Sequence, residues 1–341
     1  MRAVELRAFG GPEGLVAAEL PDPEPGPGEV KVDLVAAAVN RREWWIRGGG
    51  KVELPAVLGS DGAGVVSAVG ADVEGVAVGD EVVIYPGIGW GDDDETPAPG
   101  FELLGVPSQG TYAEYIVVAA DQVRPRPIGW SWLESAALPV AGLTVWRSLA
   151  RYASAGLGLS ETRFLAGRRI LVPGGGGGVA TLAIQMGTAL GAEVVVTTSS
   201  PEKLERARRL GAAGGADYRD VDWPEQIGGV DAVIDSVGGA VWPGALRALR
   251  PGGVLVCFGD TDGETGSVDI ARLFFDYLRI QGTTLGSPRE FDALLKHCSE
   301  AAWRPVVDSV FALAEATEAH RRLDAPDRFG KIVLAIDESK I

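Results

Sequence analysis

At 341 residues the chain is long for a single hydrophobic core, so two domains are expected. The composition is that of an ordinary soluble protein, 46% hydrophobic and 23% charged, and neither a bilayer-length apolar run nor a basic-then-apolar leader is visible, which points to the cytoplasm. A balance of 31 basic against 47 acidic residues, net charge -16, argues against nucleic acid or an anionic membrane as the main partner, and two cysteines, Cys257 and Cys298, cannot build a disulfide framework.

From Met1 to about Arg124, short β-rich runs ("GEVKVDLVAAAVN", "GAGVVSAVG", "GDEVVIY") alternate with turn clusters such as "PDPEPGPG". From about Pro125 the texture changes. Apolar runs ("RRILVP", "AEVVVTT", "VDAVIDSVGG", "GGVLVCFG") alternate with helical segments ("ATLAIQMGTAL", "PEKLERARRLG", "GALRAL"), which predicts βαβ units and a parallel sheet. The division expected is therefore residues 1–124 and a dinucleotide-binding domain over 125–285, while the final segment, 286–341, reads as strand, helix and strand and could complete either domain.

Between a strand at Arg169 to Val172 and a helix whose apolar face is Val179, Leu182, Ala183, Met186 and Leu190 lie five glycines, Gly174, Gly175, Gly176, Gly177 and Gly178. The frames G-x-G-x-x-A and G-x-x-G-x-x-A both end on Ala180. A flexible linker is the plain alternative, but five residues between two buried elements suit a turn whose bare backbone receives a pyrophosphate at a helix start. An NAD site wants a carboxylate at the end of the second strand. Here "VVVTTSSPEKL" offers none, while Ser199, Ser200 and Lys203 can hold a 2'-phosphate, so NADP(H) is the expected cofactor. Ser200 also fits as the cap of the following helix, and Lys203 as a solvated face residue.

The chain resembles the medium-chain dehydrogenase/reductase superfamily, in particular its zinc-independent quinone oxidoreductase-like branch. The resemblance rests on "AAAVNRREWWIRGG", "PAVLGSDGAGVVSAVG", "VAVGDEVVI", "GTYAEYIVVAA", "LESAALPVAGLTVWRSL", the glycine run, "VDAVIDSVGG", "RPGGVLVCFG" and "FGKIVLAI", in that order. It implies an α/β protein in which a Rossmann domain is inserted into a GroES-like β-barrel catalytic domain, the last segment returning to the first domain, and a homodimer formed by edge pairing of the Rossmann sheets. Zinc members carry a Cys, a His-Glu pair and a four-cysteine lobe. Those places read Asn40, Ser60 with Asp61, and "YPGIGWGDDDETPAPGFELLG", so no metal is expected. His297 and Cys298, adjacent on a predicted helix, diverge too far to chelate one ion easily, and with His320 and Cys257 they read as ordinary helix or core residues.

Without a Lewis acid, reduction of a polarised double bond is less demanding than oxidation of an alcohol, so the expected substrate is a hydrophobic α,β-unsaturated carbonyl or quinone. A metal-free carbonyl or alcohol dehydrogenase, and a nucleotide-binding protein without turnover, are the alternatives. Residue matching implies that Asn40 donates to the substrate or the nicotinamide, where a turn Asn is the plain reading, and that Thr144 lies near the nicotinamide. It further implies that Val237, Phe258 and Leu285 pack along the cofactor, that Tyr218 sits beside the adenosine phosphate, and that Lys331 contacts the cofactor. The tyrosine common in quinone reductases is replaced by Trp44 and Trp45, so Trp45, with Trp90 and Phe101, is expected to form an aromatic wall.

Overall fold

The computed structural model describes residues 1–50, 52–153 and 164–341, which form two compact units, Met1–Leu143 with Gly286–Ile341, and Thr144–Leu285. In chain order, the elements that position functional residues are strand β1 (Glu29–Val39), helix α1 (Arg41–Arg47), β2 (Asp61–Val69), β3 (Arg169–Val172), helix α2 (Gly178–Ala189), β4 (Glu193–Thr197), helix α3 (Pro201–Arg209), β5 (Gly214–Ala216), β6 (Val230–Asp235), β7 (Leu249–Cys257), β8 (Arg279–Gly282) and β9 (Lys331–Ala335).

In the first unit β1 is the organising strand, pairing antiparallel with β2, with β9 and with Tyr115–Ala119. Its first half alternates, Val30, Val32 and Leu34 entering the core beside Ile116, Ile332 and Leu334. Its second half, Ala36 to Val39, is buried throughout, and helix Trp132–Ala136 packs on both β1 and β2. That packing keeps residues 125–143, expected in the second domain, with the first. The final segment supplies strand Val307–Ala312 parallel to β9, joined by helix Ala316–Leu323 as a parallel pair requires. β9 is thus an interior strand rather than an edge.

The second unit is a Rossmann sheet of six parallel strands among the described residues, in the order β5-β4-β3-β6-β7-β8. Its core side chains include Leu171, Val195, Val233 and Leu255, and β3 and β4 are apolar because helices cover them. The order reverses between β3 and β6. That switch point leaves a crevice at the carboxyl ends, where ligands of such sheets bind. No helix among the described residues is long and apolar enough to cross a membrane.

Candidate functional site

In the first unit the register of β1 assembles a buried polar cluster. β9 runs beside β1 with Ile332 opposite Val39, and β2 runs along its other edge with Asp61 opposite Ala38. Lys331, Asn40 and Asp61 therefore meet at one end of three neighbouring strands. The Lys331 ammonium donates to Asn40 Oδ1 (2.5 Å) and to Asp61 Oδ2 (3.0 Å), and Asn40 Nδ2 donates to the same Asp61 oxygen (2.9 Å). The Val140 amide donates to Asp61 Oδ1 (2.7 Å), and the Thr111 hydroxyl donates to the Asp61 carbonyl (2.7 Å). Asp61 is completely buried, Lys331 is 4% exposed and Asn40 8%. A buried charge pair of this kind is tolerable only because each partner is bonded several times.

The cluster continues through α1. The Asn40 amide donates to Glu43 Oε2 (2.7 Å), the reciprocal half of a capping box that starts the helix. Ser60 has one hydroxyl proton but lies within bonding distance of both the Leu104 carbonyl (2.7 Å) and Glu43 Oε1 (2.9 Å). The Ser60 hydroxyl donates toward both acceptors, so its one proton is shared between the Leu104 carbonyl and Glu43. Desolvation of the fully buried Glu43 raises its pKa, against the opposing pull of Arg42 and of the Ser60 and Asn40 hydrogen bonds. Arg42 closes this side, donating to Ser60 Oγ (3.1 Å) and to the carbonyls of Leu103, Leu104 and Val106.

The two tryptophans lie on α1 and so diverge by about 100°. Trp44 donates its indole N–H to Asp324 (2.8 Å) under the Arg41 guanidinium, whereas Trp45 is 54% exposed. Trp90 and Phe101 do not extend an aromatic wall. Trp90 is buried, bonds the Asp93 carbonyl and packs edge-on against Phe101 at 5.0 Å, closing the core of its own loop. His320 is buried against Tyr112, its Nε2 3.2 Å from the phenol oxygen. Its Nδ1 has no partner among the described residues, and burial pushes its pKa down to about 3. His297 instead accepts the Trp303 indole N–H (3.3 Å).

In the second unit the remaining candidates gather at the carboxyl ends of the parallel strands. The glycines follow β3, Ser199 and Ser200 follow β4, Tyr218 follows β5, Val237 follows β6, Phe258 follows β7 and Leu285 follows β8. The Gly175 amide donates to the Thr197 carbonyl (2.9 Å), which pins the turn to the end of β4. Gly174 has φ +72, and a Cβ there would lie 3.2 Å from Val237 Cγ2. Helix α2 is preceded by Gly177 as its cap residue, which has no side chain, so the amides of Gly178, Val179 and Ala180 start it without a side-chain acceptor. Lys203 folds back over this turn: a Cβ on Gly176 would meet its Cδ at 2.9 Å and its Nζ at 3.2 Å.

Ser200 caps α3, accepting the Lys203 amide (3.2 Å) and donating to Glu202 (2.8 Å). Ser199 Oγ receives the Tyr218 hydroxyl (2.9 Å), and the Ser199 carbonyl receives Arg219 (3.0 Å), which also pairs with Asp217. Arg219 is a cation that reading the sequence missed, although it adjoins Tyr218. Thr144 is nearly buried and its carbonyl accepts the Ser148 hydroxyl (2.7 Å), while Leu285 is buried with φ +34. Lys331, expected along the cofactor, belongs to the first unit, where it is bonded to Asn40 and Asp61. A bare-backbone turn, a positive φ that only glycine adopts freely and an uncapped helix start fit a dinucleotide pyrophosphate.

Residues 26–128 match the alcohol dehydrogenase GroES-like domain, and residues 178–300 match the zinc-binding dehydrogenase family. A zinc-type alcohol dehydrogenase-like protein, YogA, of Leptosphaeria maculans is 32% identical, covering 92% of both chains. A quinone oxidoreductase of Pseudomonas aeruginosa is 31% identical over 98% of this chain and 99% of its own. Among solved structures, an NAD-dependent alcohol dehydrogenase superposes with a TM-score of 0.89 at 40% identity, covering 98% of this chain and all of that one.

Proposed function

From the premise that this chain belongs to the medium-chain dehydrogenase/reductase superfamily, as its two matched domains and full-length relatives show, we propose that it is a zinc-independent, NADPH-dependent reductase of α,β-unsaturated carbonyls or quinones. That it is an oxidoreductase using a nicotinamide dinucleotide follows from the family. The observation that carries the finer reading is the Lys331 ammonium bonded to both Asn40 and Asp61. Zinc wants three or four deprotonated N, S or O ligands, and an ammonium held within hydrogen-bond reach of both side chains repels a dication and occupies their lone pairs. The donor set therefore does not fit the metal that the name of the matched family implies.

When bound, the reduced nicotinamide supplies the hydride. The chain's own residues do the rest. The glycine turn and the first amides of α2 receive the pyrophosphate, and Lys203, Ser199, Tyr218 and Arg219 form the group suited to a 2'-phosphate. The absence of a carboxylate at Thr197 to Ser200 supports NADPH over NADH. Val237, Phe258, Leu285 and Thr144 are assigned to the cofactor's length, Asn40 to the substrate oxygen, and exposed Trp45 to a flat apolar substrate body. A metal-free alcohol or carbonyl dehydrogenase is the second reading, favoured by the 40% identity to an NAD-dependent alcohol dehydrogenase.

Two further assignments belong to this reading. Ile270, Phe274, Phe275 and Tyr277 are exposed beside β8, the edge strand of the Rossmann sheet, which supports a homodimer joined along that edge. Two free thiols suit the cytoplasm. The deciding experiment follows NADPH and NADH oxidation with a panel of enones, enals, quinones and simple ketones, and identifies the products. A saturated ketone from an enone supports the proposal. An allylic alcohol, with the double bond intact, favours the dehydrogenase reading, and tight NADPH binding without turnover of any compound defeats both.

A further inference from the structure

We propose that Lys331 and Asn40 together form a two-donor site for the substrate oxygen, with the tethered ammonium standing in for a metal Lewis acid. This rests on the enone and quinone reading above. The argument begins with a count of hydrogens. An ammonium has three N–H groups, and Lys331 uses two, on Asn40 Oδ1 and Asp61 Oδ2. The Asn40 amide has two, and one is on Asp61 Oδ2. Because Oδ1 accepts from Lys331 and Nδ2 donates to a carboxylate, the orientation of the Asn40 amide is fixed. One N–H on each residue is left without an acceptor among the described residues, although both side chains are more than nine-tenths buried.

Buried donors with unmet hydrogens are costly unless something polar comes to them. These two belong to groups that are bonded to each other, so a single oxygen can accept from both. Charge favours the same occupant. The free N–H of Lys331 belongs to an ammonium, so its bond to an anionic oxygen is charge-assisted. An oxygen that becomes negative during reaction is therefore held more tightly than a neutral carbonyl, which is the condition for catalysis by binding.

The electron flow closes without a metal. As the hydride forms its bond to the β-carbon, the carbon–carbon π pair moves to the bond between the α-carbon and the carbonyl carbon. The carbonyl π pair moves onto oxygen, which Lys331 and Asn40 hold. The α-carbon then takes a proton from water and the carbonyl reforms, so NADPH is oxidised and the double bond reduced.

The test uses 4-nitrophenol as a probe, since its phenolate absorbs in the visible and its phenol form does not. With NADP+ present, the full-length protein is expected to bind the phenolate about tenfold more tightly than the phenol, as one charge-assisted hydrogen bond implies. Lys331→Met removes that preference, and Lys331→Arg retains part of it. Because Lys331→Met strands the Asp61 charge, the neutral pair Lys331→Met with Asp61→Asn is measured alongside it. Both are expected to leave NADPH affinity within a factor of about two while kcat for an enone falls about a hundredfold. A wild type that binds phenol and phenolate alike or binds neither, or a folded Lys331→Met chain with full preference or unchanged kcat, overturns the inference. A wild type that prefers the phenolate yet turns over no enone or quinone leaves the donor pair standing and refutes the reductase reading alone.

Discussion

Lys203 offers the sharpest test of cofactor choice, because its position is defined by a glycine. Its stem crosses the turn where a Cβ on Gly176 would fall, bringing the half-buried ammonium to the mouth of the glycine loop. Replacing it with Met keeps the stem and deletes the charge. A charge-assisted contact to phosphate contributes roughly 1.5 to 3 kcal/mol, and solvent screening at a half-exposed site argues for the lower end. About 1.4 kcal/mol is tenfold in an equilibrium constant, so the Michaelis constant for NADPH is expected to rise about tenfold while that for NADH moves by less than about twofold. The assay is initial rate against each cofactor at two ionic strengths, and the NADPH effect shrinks in the higher salt. The NADPH-to-NADH ratio is the readout, since lost packing over Gly176 weakens both cofactors equally. An unchanged ratio in Lys203→Met would refute the 2'-phosphate role, and an unchanged ratio in Arg219→Ala would remove that second cation from the site.

Three other outcomes follow from the geometry. Gly174→Ala places a side chain at φ +72 and close to Val237; at about 1 to 2 kcal/mol of strain, it is expected to lower the melting temperature and to weaken NADPH and NADH alike, measured by cofactor titration. His320→Phe probes acid sensitivity. The unfolded chain protonates this imidazole below pH 6.5 while the folded chain resists until about 3, so its contribution to stability is lost as pH falls through that window. The urea midpoints of wild type and His320→Phe should therefore converge on acidification from pH 6.5 to 5, by about 1.4 kcal/mol per pH unit; the opposing effect of the raised Glu43 pKa is common to both chains and cancels. A constant offset would contradict the neutral, buried state of His320. Phe275→Ser combined with Ile280→Lys, on the exposed edge of β8, is expected to give a monomer by light scattering, and a monomeric wild type would dispose of the edge-paired dimer.

Local order was the readable part of the chain. Strands apolar at every position, helices with a 3.6-residue face and a glycine turn between them announce a parallel sheet, because each signal lies within about twenty residues. Trp44 and Trp45 show the limit of local reading. Adjacent in sequence and alike in composition, they sit on a seven-residue helix, set by the Asn40 and Glu43 capping box, that sends them to different surroundings. Trp90, equally aromatic in composition, is enclosed by its own loop, which no periodicity announces.

The sequence by itself determined the glycine turn, the missing carboxylate after the second strand and the absence of the family's zinc ligands, since these depend on residue identity at short spacing. What only the tertiary structure decided is the company that Asn40 keeps. Lys331 lies 291 positions away in sequence, yet β9 and β2 flank β1 in a register that brings Lys331 and Asp61 to it from opposite sides. Strand register is a property of paired backbones and a shared core, and a one-residue slip would have sent each of those side chains to the other face.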